Sequence, residues 1–176
     1  MRKFKKRCLA LLDMAYEQGW MGACYSMSAC MVALAKDLGI DAHAKLGILT
    51  NRWRGVCFDH AWVEVDGEVC DMAIELPLMP EFAAPYVWLN DGLIYDYKPF
   101  SDESRLTQMG EVAKKVYESG TIQDYMDRCP SLNLFAVCAE ITGKTTEEIR
   151  DSVKDDKFEL AAQTHTSEEW QADEMI

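Results

Sequence analysis

The chain has 176 residues, 49% hydrophobic and 27% charged; this is the composition of one globular domain with a core of its own, and it excludes disorder over most of the length. Acidic residues outnumber basic ones 30 to 18, a net charge of −12 that argues against nucleic acid as a partner, because its phosphates would be repelled. No apolar run approaches the roughly 20 residues of a spanning helix, and after the basic start Arg2 to Arg7 the apolar stretch is cut by Asp13 and Glu17, so neither a membrane span nor a secretion signal is read.

The first helix is predicted over residues 4–18, where Phe4, Cys8, Leu11, Leu12, Ala15 and Tyr16 recur at helical spacing and Gly19 stops the run. A second helix runs from Cys24 to Leu38, with Met27, Met31, Leu34 and Ala35 in an apolar stripe and Gly39 in the C′ position. Ile40–Thr50 alternates like a strand, and Asn51–Asp59 reads as a loop carrying Arg52, Trp53 and Arg54. His60–Val65, Asp66-Gly67 and Glu68–Met72 read as strand, turn and strand, because Asp-Gly supplies the positive φ angles of a type I′ turn. Pro77, Pro80 and Pro85 mark an irregular crossing, and Tyr86–Leu89 with Leu93–Tyr97 reads as a second hairpin.

After Pro99 the pattern becomes helical. Ser101 is placed as the cap of a helix to Ser119, Thr121 as the cap of a short one to Arg128, Pro130-Ser131 as the opening of one to Thr142, and Thr145 or Thr146 as the start of a last one. The order is α+β, divided into a core at 1–100, a helical extension at 101–155 and an acidic, loosely held tail at 156–176. Residues 145–176 hold ten acidic and three basic side chains, whereas residues 1–7 carry +5; both termini read as solvated. Seven cysteines and no secretion signal point to a reducing, cytoplasmic setting in which most thiols are small buried hydrophobes.

One cysteine differs from the rest. Cys24 opens the second helix, where the dipole and free N–H groups favour thiolate. A two-residue turn at Asp66-Gly67 pairs Val65 with Glu68, Val63 with Cys70 and Trp62 with Asp71. His60, Trp62, Glu64, Val69 and Asp71 then share one face of the sheet, and Ala61, Val63, Val65, Cys70 and Met72 the other, apolar one. His60 and Asp71 become diagonal neighbours, so a carboxylate can fix the imidazole tautomer. A cysteine at a helix start with a His–Asp pair on a strand is a layout for nucleophilic acyl transfer.

Gly22-Ala-Cys24-Tyr25, then a helix to Leu38-Gly-Ile40, then His60-Ala-Trp-Val-Glu-Val65-Asp-Gly67 and Asp71, resemble the transglutaminase-like cysteine peptidase superfamily, and are similar above all to its short bacterial members that remove leader peptides from lasso-peptide precursors. The resemblance spans residues 18–75. It implies a papain-like fold with a nucleophile helix on a small antiparallel sheet, Cys24 as nucleophile, His60 as base and Asp71 as orienting acid. Gln18, six residues before Cys24, also matches the glutamine of papain that donates to the oxyanion. Met21 stands where papain has a cysteine, and the short interval from Cys24 to His60 assigns the chain to the transglutaminase-like branch. Tyr25 and Trp62 are taken as substrate-binding.

The reading is therefore a cysteine hydrolase of an amide or peptide bond, with a peptide or protein substrate and no cofactor. Amine-dependent acyl transfer and a catalytically idle binding module stand as alternatives. Cys57, His60 and Cys70 could suggest zinc, but a fourth ligand at regular spacing is missing and the register puts Cys70 opposite His60, so no metal is assigned.

Overall fold

A computed structural model describes residues 1–51, 54–100 and 109–167. Among these, six α-helices and six strands form an α+β fold. Helix α1 (Arg2–Glu17) buries Phe4, Cys8, Leu11, Leu12 and Ala15 against α2 (Cys24–Lys36). Every residue of α2 from Ser26 to Ala35 is buried, as suits a central helix wrapped on all sides. Arg7, from the basic start, is not a solvated charge. Its Nη1 lies 2.6 Å from Asp37 Oδ2 and donates to the Leu34 carbonyl, tying α1 to the end of α2.

Strands β1 (Ala42–Asn51) and β2 (Val56–Val65) form an antiparallel ladder from Ala42↔Val65 to Asn51↔Val56. The loop expected over Asn51–Asp59 is thus largely strand: the ladder satisfies backbone groups well beyond His60. Arg52 and Trp53 lie outside the described residues. Strand β3 (Glu68–Asp71) follows through Asp66 and Gly67 at φ 52° and 80°, as a type I′ turn requires. Val65↔Glu68 and Val63↔Cys70 pair in the predicted register.

The second hairpin does not form. Strand β4 (Val87–Trp88) pairs with β3, and β5 (Asp96–Lys98) pairs with β1, so the sheet order is β4-β3-β2-β1-β5. Leu89 and Asn90, both at positive φ, turn the chain, and Asn90 returns to Val69 through its Oδ1 and its N–H. Both sheet edges offered unpaired backbone groups, and the crossing between β4 and β5 lets one segment satisfy each.

The helices beyond residue 109 are α3 (Glu111–Tyr117), α4 (Ile122–Asp127), α5 (Leu134–Thr142) and α6 (Thr146–Ser152). Thr121 and Thr145 cap α4 and α6 in complete capping boxes with Asp124 and Glu148. The helix expected from Ser101 begins, within the described residues, at Glu111; residues 101–108 lie outside them. The helix expected from Pro130 begins at Leu134, because Asn133 sits in the left-handed region at φ 47°.

Strand β6 (Glu159–Leu160) runs parallel to β1. Beyond it, His165 exchanges both backbone hydrogen bonds with Tyr97 at 2.9 Å, and Ser167 N–H donates to Asp96 Oδ1. Phe158, Ala161, His165 and Ser167 are buried. Residues 158–167 therefore form a strap rather than a loose tail, because the free edge of β1 and β5 offered partners; residues 168–176 lie outside the described set. The core has two layers, one on each face of the sheet. Ala61, Val63, Val65 and Cys70 pack on α1 and α2, whereas Trp62 and Val69 pack with Leu49, Ile74, Tyr95 and Tyr97. The sequence marks only the first face as apolar; the 73–95 crossing buries the second. No helix among the described residues is long and apolar enough to cross a membrane.

Candidate active site

Gly22 sits at φ 62° and donates its N–H to the Leu76 carbonyl at 2.8 Å, which fixes the approach to α2. A Cβ on Gly22 would lie 3.1 Å from that of Leu78, so the position suits only glycine. Ala23 is the N-cap and offers no side-chain cap, leaving the first-turn N–H groups at Cys24 and Tyr25 without an acceptor within the helix. Cys24 thus stands at an uncapped helix start. It opens into a cleft of about 340 Å³ that it shares with Tyr25, Phe58, Asp59 and His60.

The second component is the His60–Asp71 pair. His60 Nε2 lies 2.7 Å from Asp71 Oδ2, and the two are 5% and 1% exposed. Asp71 Oδ2 also accepts from the Tyr97 hydroxyl at 2.8 Å, and Oδ1 accepts from the N–H groups of Ala73 and Ile74 at 2.9 and 3.2 Å. Four donors on one buried carboxylate satisfy its oxygens without water. Burial opposes charge on His60, but the Asp71 charge and hydrogen bond, joined by the Cys24 thiol, outweigh it and push the imidazole up to about 10. With Nε2 held by Asp71, Nδ1 is the ring nitrogen left for Cys24. Phe58 and Tyr97 meet the imidazole edge-on, at centroid distances of 5.8 and 6.4 Å.

Tyr25 lines the cleft, and its ring packs edge-on against Phe158. Burial, with the Cys24 and Asp59 charges, pushes its phenol well up. Asp59 accepts from the Gly110 N–H, and burial raises its carboxyl. Two expectations fail on placement. Trp62 is fully buried in the second core layer, its Nε1 donating to Glu64 Oε1 at 3.1 Å, so it has no surface to offer a substrate. Gln18 is exposed at the end of α1, its Oε1 accepting from Trp20 Nε1 at 3.1 Å, and it does not line the cleft. Cys57 is exposed and Cys70 is buried in the layer opposite His60.

Sequence reasoning missed Tyr97 and the cleft wall. The wall includes Leu76, Pro77, Leu78, Met79 and Phe82, and Val112 also lines the cleft. Leu78, Met79 and Val112 are 73%, 51% and 62% exposed. The prolines that marked this stretch as irregular were the available signal, since a chain barred from the ladder can wall a cleft. Comparison with family models, with curated proteins and with solved structures finds no match.

Proposed function

We propose that this protein is a cysteine-dependent hydrolase of amide or peptide bonds, papain-like in the arrangement of its core, with Cys24 as nucleophile, His60 as acid and base, and Asp71 as the group that orients His60. The observation that carries the reading is the convergence, in one apolar cleft, of an uncapped helix start bearing Cys24 and of His60, whose Nε2 is held by the buried Asp71. His60 Nδ1 takes the thiol proton, and the resulting imidazolium pairs with the thiolate. The thiolate attacks the substrate carbonyl, and the Cys24 backbone N–H, free at the helix start, donates to the oxyanion. The imidazolium then protonates the leaving amine and the C–N bond breaks. Water, deprotonated by His60, attacks the acyl-enzyme thioester, and the carboxylic acid product leaves as the thiol re-forms.

The raised proton affinity of His60 suits the acid step at neutral pH. The apolar wall suits a peptide that presents a bulky apolar side chain beside the scissile carbonyl.

The test is alkylation by a small iodoacetamide-type reagent at mildly acidic pH, read by intact mass and peptide mapping. Cys24 is modified first, and His60→Ala slows it. Uniform reaction of all accessible thiols, rising only above about pH 8 as for ordinary thiols, overturns the reading. Hydrolysis of apolar peptide amides, with and without an added amine, then separates hydrolysis from acyl transfer.

A further inference from the structure

We propose that Tyr97 is a positioning residue of this site: its hydroxyl shares Asp71 Oδ2 with His60 and so sets how tightly Asp71 holds the imidazole. This rests on the hydrolase reading above. The two donors reach the same oxygen at 2.8 and 2.7 Å, while Oδ1 is occupied by the Ala73 and Ile74 N–H groups. A second donor on Oδ2 draws off charge that would otherwise face His60 alone.

Packing alone does not call for that hydroxyl. The ring fills space beside Trp62 (5.2 Å, 80°) and His60 (6.4 Å, 64°), contacts that phenylalanine would keep. A hydroxyl in a fully buried site is costly unless it is bonded, and its bond here is to the group that orients the candidate base. The backbone of Tyr97 is held on both sides, by Leu49 of β1 and by His165 of the strap, so the hydroxyl has little freedom to move off Oδ2. The titratable groups facing the His60–Asp71 pair are Cys24 from α2 and Tyr97 from β5, with Tyr95 beside Tyr97. Glu64 and His165 on the same sheet face bond each other at 3.1 Å.

The experiment compares the full-length protein with Tyr97→Phe, reading the low-field proton resonance of the His60 Nε2–H bonded to Asp71, assigned by its loss in His60→Gln. Without the competing donor this resonance moves downfield, and the His60 titration midpoint rises by about half a pH unit or more. In turnover, kcat falls roughly tenfold, the equivalent of one hydrogen bond, with KM unchanged. A folded Tyr97→Phe protein whose resonance and midpoint match the parent overturns the proposal. If Tyr97→Phe does not fold, Tyr97→Met, also lacking the hydroxyl, is read in its place; failure of both to fold makes the hydroxyl structural and overturns the proposal as well. The resonance requires no substrate. An unreactive Cys24 thus counts against the hydrolase reading alone, and an unmoved resonance against Tyr97 alone.

Discussion

Asp71 does two things with its two oxygens. Oδ1 caps the short turn after β3 through Ala73 and Ile74, and Oδ2 faces His60 and Tyr97. Asp71→Asn keeps an oxygen for the turn and loses the charge against the imidazole. The expected outcome is a folded protein, by circular dichroism, with kcat reduced at least about a hundredfold because the wrong tautomer is held. The same pair makes stability depend on pH. His60 holds its proton to about 10 in the fold, against about 6.5 in an unfolded chain. The folded state therefore binds more protons in that window. The contribution of this group is complete below about pH 6.5, declines above it and is gone once the pH passes about 10. Urea midpoints measured across this range fall more steeply for the parent than for His60→Gln.

At the scale of elements, the ladder between β1 and β2 places Gly47 opposite His60. A Cβ there would lie 2.3 Å from the Lys98 carbonyl oxygen and 2.5 Å from the Trp62 ring. The bare backbone lets β5 and the Trp62 indole close over β1. Gly47→Ala is expected to cost about 2–3 kcal/mol, read as a lowered urea midpoint, since the oxygen belongs to backbone and cannot swing away. Thr145→Ala removes a complete capping box from α6 and costs about 1 kcal/mol by the same measurement. What was legible in the sequence follows the range of the forces. The β2–β3 register could be read because a two-residue turn at Asp66-Gly67 fixes it locally. Cys24, His60 and Asp71 came from that register and from Gly22 before α2. The positions of β4 and β5 could not be read, since a local pattern does not say which sheet edge a strand will join. Tyr97 was hidden for that reason, and spacing alone did not show that Gln18 would be exposed and bonded to Trp20.

Across the whole molecule, the second core layer is closed by residues far apart in the chain. The strap brings His165 Nε2 to Glu64 Oε1, which also accepts from Trp62. Burial disfavours the Glu64 charge, yet His165 and Trp62 hold its carboxyl below the usual range. His165→Ala leaves that carboxylate short of a donor in a nearly dry site. It is expected to destabilise by about 3 kcal/mol in urea titrations, and to speed proteolysis after Lys157 in a time course followed by mass spectrometry.

The strap also acts as a clock. Synthesis runs from the N- to the C-terminal side, so Cys24, His60 and Asp71 are made before the His165 backbone that holds Tyr97 beside Asp71. During that interval the thiol exists but the strand behind its partner lacks one of its two neighbours. A nascent chain, or one released early by a premature stop before residue 158, carries Cys24 without the clamp. Tyr97 gains its second strand neighbour only once residue 165 has been made.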